Sequence, residues 1–180
     1  MNKGVIFVAG TYGVGKSTLC DKLCSKLGIS AFSAGDLISE VNGEMYGKNK
    51  VVKDKTTNQN ILITAVKKKL SSQSAFLLAG HFCIFNQNNE VEILPEFVYK
   101  ELSISQILLL ETDGETILRN IKARDDKTYS LSAIKNLIVA ERNQAEKISR
   151  QYEIPLYIHK MRFDRTDIDK ISAIIQGSVV

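Results

Sequence analysis

Short apolar runs recur along the chain and alternate with amphipathic segments. The first, Gly4–Ala9, is nearly unbroken, rich in β-branched residues and bounded by glycines, which is typical of a strand buried on both faces. Three further runs share this pattern and one more is a weaker candidate: 74–80, 105–111 and 154–159, and then 29–33. The pattern therefore predicts five strands.

The segments between these runs have the periodicity of helices. In Lys16–Leu27 apolar residues return every three or four positions, and Gly28 follows as a predicted C-terminal cap. The other predicted helices span 36–45, 58–70, 95–102, Gly114–Arg124, 131–150 and 168–175. Strands that alternate with helices need crossover connections, so we predict an α/β fold in which helices cover both faces of a parallel sheet.

The length of 180 residues suits one domain, and we expect residues 1–180 to form a single unit. No apolar run approaches the roughly 18 residues of a membrane span, and the apolar residues after Lys3 are too few for the core of a signal peptide. These features predict a cytoplasmic protein without a membrane partner. The net charge of +4 is mild for a nucleic-acid binder and suits a phosphate-rich small ligand equally well.

The three cysteines cannot all pair, and no feature of the chain indicates an oxidising compartment. Cys20 and Cys24 lie four residues apart on a predicted helix, where two thiols can share a metal ion. No further Cys or His stands at ligand spacing nearby. We therefore interpret these two residues, together with Cys83, as small apolar core residues.

A phosphate-binding motif follows the first strand. The segment GTYGVGKST at 10–18 matches the Walker A pattern G-x-x-x-x-G-K-[ST] and lies between a predicted strand and a predicted helix, as this motif requires. Glycines let backbone N–H groups wrap a polyphosphate, and the helix N-terminus adds partial positive charge. We predict seven nucleotide-binding residues here: Gly10, Gly13, Val14, Gly15, Lys16, Ser17 and Thr18.

The residues at the end of this motif have separate predicted roles. Lys16 supplies a catalytic cation to the β- and γ-phosphates, and the Ser17 hydroxyl oxygen is a predicted Mg²⁺ ligand. Thr18 adds a contact to the α-phosphate. The sequence therefore predicts ATP and Mg²⁺ as cofactors, and it leaves the choice between ATP and GTP open.

Four further motifs follow this loop, and their order resembles that of the nucleoside monophosphate kinases among P-loop proteins, most of all the compact archaeal-type adenylate kinases. They are SAGDLIS at 33–39, LLAGH at 77–81, ILLLETD at 107–113 and LRNIKARDD at 118–126. The resemblance implies a three-layer P-loop fold whose five-stranded parallel sheet has the order 2-3-1-4-5. It also implies an acceptor-binding segment at about 34–72, a short lid at about 119–131, and transfer of a phosphoryl group from ATP to a small acceptor.

Two residues are predicted to contact the acceptor. Asp36 follows the second strand, at the edge of the sheet where α/β proteins bind ligands, although an aspartate there also serves as a helix N-cap. His81 follows the third strand and, by the resemblance, faces the acceptor pocket, with a structural histidine as the alternative. The lysines of the polar stretch 42–60 offer another cation, but we interpret them as a solvated surface.

Two arginines match the lid cations of such kinases by position. Arg119 and Arg124 are predicted to stabilise the charge that spreads over the transferring phosphoryl group. They lie about 140° apart on an ideal helix, so both act together only if the helix ends or bends before Arg124. Exposed pairing with the aspartates that follow is the alternative. Arg142, on the next predicted helix, is a further candidate.

The motif at the third strand departs from the family, because Ala79 stands where similar kinases carry an aspartate near the Mg²⁺. Our leading hypothesis is an ATP-dependent phosphotransferase whose acceptor is a nucleoside monophosphate, since a phosphate oxygen needs no general base. The missing carboxylate motivates an alternative, a nucleotide-dependent switch or slow ATPase that acts on a protein partner. A third hypothesis, a kinase of a nucleic-acid 5′-hydroxyl or a metabolite hydroxyl, needs a base, and Asp36 is its candidate.

Overall fold

A computed structural model describes residues 4–42, 55–124 and 128–177. The strands are β1 (Gly4–Ala9), β2 (Ser30–Ser33), β3 (Ala75–Ala79), β4 (Cys83–Phe85), β5 (Val91–Ile93), β6 (Ile104–Glu111) and β7 (Leu156–Lys160). The helices are α1 (Lys16–Leu27), α2 (Ala34–Asn42), α3 (Lys55–Ser72), α4 (Phe97–Glu101), α5 (Gly114–Arg124), α6 (Leu131–Tyr152) and α7 (Arg165–Ile175).

The main sheet has five strands in the order β2-β3-β1-β6-β7, and all of its pairs are parallel. When the five strands are numbered among themselves this order is 2-3-1-4-5, so the predicted topology is confirmed. β1 occupies the centre, and every one of its residues is buried. Its carboxyl end, at Ala9, leads directly into the Walker A loop.

Apolar side chains pack on both faces of this sheet, as the α/β prediction requires. On one face Phe7, Phe76 and Leu109 join a core with residues of α2, α3, α4 and α6. On the other face Ile6 and Leu108 pack with residues of α1 and α7. The strands are thus covered on both sides, which explains their nearly continuous apolar sequences.

Several helix boundaries follow the predicted pattern closely. α1 and α5 have the predicted limits, and Gly28 caps α1 with a left-handed φ of 65° and a bond from its N–H to the Cys24 carbonyl. α7 begins at Arg165, earlier than predicted, because the Asp164 side chain accepts a hydrogen bond from the Thr166 N–H and caps the helix. A local cap therefore sets this boundary, as Gly28 sets the end of α1 and the Ser130 hydroxyl, which accepts from the Ala133 N–H, sets the start of α6.

Part of the predicted acceptor-binding segment and part of the predicted lid lie outside the described residues. α3 begins at Lys55, inside the stretch 42–60 that was predicted to be a surface segment, while Lys48, Lys50 and Lys53 are not among the described residues. The aspartates at 125 and 126 are outside them as well. No helix in the described part of the chain is both long and apolar enough to cross a membrane.

A small antiparallel hairpin, β4 with β5, was not predicted. Each of its strands has only three residues, too few to give a recognisable alternation. Its turn is held by the Asn86 side chain, which accepts hydrogen bonds from the N–H groups of Asn88 and Glu90. The hairpin follows β3 after only three residues, so it lies at the edge of the sheet where the Walker A loop begins.

Candidate functional site

The Walker A loop is built on glycine conformations that other residues adopt only with strain. Gly10 has φ 141°, and a Cβ on it would lie 2.5 Å from the Leu110 carbonyl oxygen. Gly15 has φ 98° and is the residue from which α1 starts. The loop therefore passes close to the end of β6 and turns sharply into α1, which leaves the first N–H groups of the helix available to an anion.

Lys16 lies within this loop rather than extended into solvent. Its Nζ donates to the carbonyl oxygens of Gly10 and Thr11, at 2.7 and 2.9 Å. Ser17 and Thr18 follow in the first turn of α1, where both are exposed and line a cavity. These three side chains thus border one opening, and the Ser17 hydroxyl is placed at the helix N-terminus as a Mg²⁺ ligand in this motif requires.

Val14 takes part differently from its neighbours. Its side chain is fully buried in the core beside α1, and its N–H donates to the Thr11 carbonyl at 3.4 Å. Only its main chain is therefore placed for phosphate contact. The tip of the loop is held from α5, where the Asn120 amide donates to the Gly13 carbonyl at 2.8 Å. Asn120 was missed in the sequence because no spacing rule connects it to the motif.

The segment between β7 and α7 forms a second wall beside the loop. Phe163, which has a left-handed φ of 62° and is 46% exposed, would lie 3.4 Å from a Cβ on Gly15. The buried Asp167 carboxylate holds this segment by accepting hydrogen bonds from the N–H groups of Arg162 and Phe163 and by bonding the His159 ring. Burial alone would raise the pKa of Asp167, but these partners bring it below its ordinary value.

The acceptor side of the cavity is mostly apolar. The cavity occupies about 730 Å³ and runs from the Walker A loop to a space between α2, α3 and α4. Its apolar part is lined by Phe7, Ile38, Leu62, Ile84, Leu94, Val98 and Leu102. Two amides of α3, Asn58 and Gln59, add polar groups to this wall, and Gln59 is only 6% exposed.

His81 lies where the two parts of the cavity meet. It lines the cavity just after β3, and the Tyr99 hydroxyl donates to its carbonyl oxygen at 2.9 Å. The ring of Tyr12, from the Walker A loop, lies with its centroid 4.6 Å from that of His81. The resemblance predicts that His81 faces the acceptor; the structure shows that it lines the cavity, and its contact with an acceptor remains a prediction.

Asp36 has a different position from the one expected. It lies in the first turn of α2, which starts at Ala34, so it is not the N-cap of that helix. Its N–H donates to the Ser33 hydroxyl at 3.4 Å, and its side chain is exposed. Ser33, Ala34 and Gly35 line the cavity, whereas Asp36 is not among the lining residues. Its predicted contact with an acceptor remains a prediction.

Ala79 ends β3 and lines the cavity. Among the described residues that line the cavity, the carboxylates are Asp164 and Asp167, and both are engaged within the segment after β7. Nor do the described residues contain a cluster of three or more His, Cys, Asp or Glu that could hold a metal ion. Among the described residues that line the cavity, no available carboxylate therefore takes the place of the aspartate that similar kinases carry at the position of Ala79.

The two arginines predicted to act in the lid, Arg119 and Arg124, differ in their position relative to the cavity. α5 continues through Arg124 without ending before it, so the two side chains project from different sides of one helix. Arg124 lines the cavity, whereas the Arg119 guanidinium donates to the Thr116 hydroxyl at 3.1 Å and is not among the lining residues. Both catalytic assignments remain predictions. Arg142, the further candidate, is paired through two nitrogens with the Glu111 carboxylate.

The cysteine thiols show the chemistry of core residues. Cys20 and Cys83 are buried, and burial raises the pKa of each thiol to about 12. Burial also raises the pKa of the partly exposed Cys24. A buried thiol with so high a pKa stays protonated at neutral pH, which fits the interpretation of Cys20 and Cys83 as core residues.

Comparisons with known proteins agree with this architecture. Residues 9–137 match the family AAA_17, described as an AAA domain. An adenylate kinase of Prochlorococcus marinus is 27% identical over 158 residues, which are 84% of each chain. Human adenylate kinase isoenzyme 1 is 33% identical over 132 residues, which are 68% of this chain and 64% of that protein.

The fold is shared with solved structures of lower sequence identity. A shikimate kinase from Acinetobacter baumannii, solved with shikimate, superposes with a TM-score of 0.63 at 15% identity and covers 99% of this chain. The superposed region includes 96% of the shikimate kinase chain, so the likeness extends over nearly the whole of both chains. The resemblance to nucleoside monophosphate kinases is confirmed: the chain belongs to the AAA domain family AAA_17 and has the P-loop kinase fold.

Proposed function

We propose that this protein transfers the γ-phosphoryl group of ATP, bound with Mg²⁺, to a phosphate oxygen of a nucleoside monophosphate. One observation carries the proposal: a single cavity joins the Walker A loop to an apolar pocket, with His81 where the two meet. An apolar pocket with a few polar groups is the environment that a nucleobase requires. The curated relatives named adenylate kinase support the same class of reaction.

The acceptor group follows from the side chains of the cavity. A hydroxyl acceptor needs a positioned base to take its proton, and the described carboxylates that line the cavity, Asp164 and Asp167, serve the segment after β7, which leaves His81 as the base available there. A monophosphate oxygen is already a nucleophile once it is positioned and needs no base. The lack of an available carboxylate among these lining residues supports a phosphate acceptor over a hydroxyl acceptor such as shikimate, the ligand of a protein of similar fold.

The residues would act mainly by position and charge. Lys16 and Arg124 border the cavity from opposite elements and would stabilise the charge on the transferring group, with Arg119 joining them if its side chain leaves Thr116. The Ser17 hydroxyl would hold Mg²⁺, which would offset part of the negative charge of the phosphates. His81 would contact the acceptor phosphate or base. The described parts of the predicted acceptor-binding segment at about 34–72 and of the predicted lid at about 119–131 would border the acceptor and the donor, respectively.

The test is an acceptor panel. ADP formation from ATP and Mg²⁺ is measured with each ribo- and deoxyribonucleoside monophosphate and, as the contrasting class, with shikimate and nucleosides that carry only hydroxyls. We expect at least one monophosphate to accelerate ADP formation and to appear as its diphosphate by chromatography. ADP formation that no monophosphate accelerates, or that only a hydroxyl compound accelerates, contradicts the proposal.

A second candidate is a nucleotide-dependent switch or slow ATPase with a protein partner. The observation that favours it is Ala79, which leaves that position of the cavity without a carboxylate near the predicted metal. This candidate predicts tight ATP binding, slow hydrolysis that no acceptor accelerates, and capture of a partner only in the presence of nucleotide. The same panel separates the two, because the first candidate requires a diphosphate product.

A further inference from the structure

A buried carboxylate joins two loops that face the two parts of the cavity. Glu141 lies on α6 and is only 1% exposed. Its Oε1 accepts hydrogen bonds from the N–H groups of Gly10 and Phe82, both at 3.1 Å. Its Oε2 accepts from the N–H groups of Phe82 and Cys83, at 3.0 and 2.7 Å. One side chain thus binds the first residue of the Walker A loop and the turn that follows His81.

The sequence marks this residue as a charge on an otherwise apolar helix face. Glu141 stands on the apolar face of α6, four residues after Leu137 and four before Ala145, both of which are fully buried. A charge at a core position is costly unless several donors compensate it. Here burial raises the pKa of the Glu141 carboxyl, while the Lys16 ammonium and the three backbone N–H groups oppose that rise.

The Gly10 peptide connects this carboxylate to the catalytic lysine. The Gly10 N–H donates to Glu141, and the carbonyl of the same residue accepts from the Lys16 Nζ at 2.7 Å. When the Lys16 ammonium turns toward the phosphates of a bound nucleotide, the Gly10 carbonyl loses this partner and the carboxylate loses a nearby positive charge. Any adjustment of Glu141 then reaches Phe82 and Cys83, which it holds directly.

The turn after β3 is also held by groups other than Glu141, on α4 and after β5. The Tyr99 hydroxyl of α4 donates to the His81 carbonyl, and the Phe82 carbonyl accepts from the Leu94 N–H. The peptide between His81 and Phe82 is therefore held at both ends, its carbonyl by Tyr99 and its N–H by Glu141. A shift of the Glu141 carboxylate would act directly on this peptide, next to the His81 side chain that lines the cavity.

We propose that Glu141 is a positioning residue that couples the two parts of the cavity. Through it, nucleotide binding in the Walker A loop changes the position of the wall that carries His81. The inference deepens the proposed function and rests on it for the kinetic consequences. Binding and amide exchange are measured without an acceptor, so coupling is tested even in a protein that transfers no phosphate.

The first experiment uses the unmodified protein. Hydrogen exchange of individual backbone amides is followed by NMR with and without ADP and Mg²⁺. We expect ADP to change the exchange rates of the Phe82 and Cys83 amides as well as that of Gly10, while the amide of Asn86, which bonds the Glu90 carbonyl at the turn of the hairpin, keeps its rate. ADP that binds and changes Gly10 but neither Phe82 nor Cys83 overturns the coupling. ADP that fails to bind overturns the proposed function and the coupling together.

The second experiment compares Glu141→Gln with Gln144→Leu. Glutamine keeps the shape of Glu141 but places an NH₂ group against backbone N–H donors, and Gln144 is a buried amide of the same helix that bonds Glu96 instead of either loop. We expect Glu141→Gln to bind ADP without the response at Phe82 and Cys83, and to lower kcat about tenfold or more with a smaller change in the KM for ATP. Gln144→Leu should keep the response.

If the Glu141→Gln variant binds ADP and its Phe82 and Cys83 amides still change their exchange rates, the proposal is contradicted. Equal loss of the response in Gln144→Leu also contradicts it, because packing of α6 alone would then explain the effect. Should Glu141→Gln not fold, Glu141→Asp keeps the charge and retracts it by one methylene, and partial retention of the response is then the expected result. The exchange measurement on the unmodified protein stands in every case.

Discussion

The two parts of the cavity are built in different ways. The donor side is formed largely by main-chain atoms of one continuous segment, 10–18, and by the start of α1. The acceptor side is formed by side chains from α2, α3, α4 and the turn after β3. A backbone cradle depends on glycine positions and spacing, whereas a side-chain pocket depends on which residues the fold brings together.

This difference predicts two kinds of mutational effect. Changes on the donor side should weaken nucleotide binding or transfer whatever the acceptor, because every reaction passes through the same phosphates. Changes on the acceptor side should alter the choice of acceptor and leave ADP binding nearly intact. A variant that breaks this division would show that the two sides are not separable, and the coupling through Glu141 is the path by which that would happen.

The largest effect is expected from Lys16→Ala. The ammonium is the only side-chain cation that the Walker A loop itself carries, and loss of such a charge from a phosphoryl-transfer site lowers kcat by about 10³-fold or more. Affinity for ADP and Mg²⁺, measured by calorimetry, should fall as well. Lys135→Ala is the matched control, since Lys135 is exposed and lies 3.8 Å from Glu115. ADP uptake that is equal in the two variants would refute the donor site.

The next effect separates the two lid arginines. Arg124 lines the cavity, and Arg119 bonds the Thr116 hydroxyl. We expect Arg124→Ala to lower kcat about 100-fold with little change in ADP affinity, because a cation delivered to the transition state contributes mainly to the rate. Arg119→Ala should have a clearly smaller effect. Steady-state kinetics with one acceptor decides the matter, and an equal or greater loss in Arg119→Ala would assign the role to Arg119.

The same division explains what could be predicted from the sequence. The Walker A loop and the limits of α1 depend on local pattern, and the residues themselves carry that information. The order of the main sheet is not local, and it was implied by the resemblance to nucleoside monophosphate kinases. Asn120 and Glu141 hold the site through hydrogen bonds to distant backbone groups, and such pairs have no fixed spacing. Asp167 bonds N–H groups only four and five residues before it, but no apolar periodicity marks that contact. The hairpin β4–β5 was not predicted because its strands are short and its turn is set by hydrogen bonds of the Asn86 side chain.

A smaller effect, on stability, is expected from Asp167→Asn. The Asp167 carboxylate accepts bonds from two backbone N–H groups and from His159, and loss of its charge should cost about 2 kcal/mol at pH 7. The pKa of Asp167 is lower in the folded protein than the value of about 3.9 expected when unfolded. Its stabilising contribution is therefore present above that unfolded value and disappears as the pH falls through the folded one.

Urea unfolding at pH 7 and at successively lower pH values measures this contribution. The difference in unfolding free energy between the unmodified protein and Asp167→Asn should be largest at pH 7 and should shrink in acid. Asp169→Asn is the control, because its bond to Lys26 is exposed and exposed ion pairs contribute little to stability. A difference that does not depend on pH would mean that packing, and not the carboxylate charge, holds the segment after β7.

The smallest effect tests the acceptor side through Gln59→Leu. Gln59 lies 6% exposed in a wall shared with Leu62 and Leu102, so leucine should leave the free energy of unfolding unchanged or slightly higher. If the amide bonds the edge of a nucleobase, its loss should raise the KM for the best acceptor about tenfold, the equivalent of one hydrogen bond, with ADP affinity unchanged. Thr64→Val is the control on the same helix, since Thr64 is exposed and bonds the Asn60 carbonyl. An acceptor KM that stays the same in Gln59→Leu would place the base elsewhere, and an equal rise in Thr64→Val would attribute the effect to α3 as a whole.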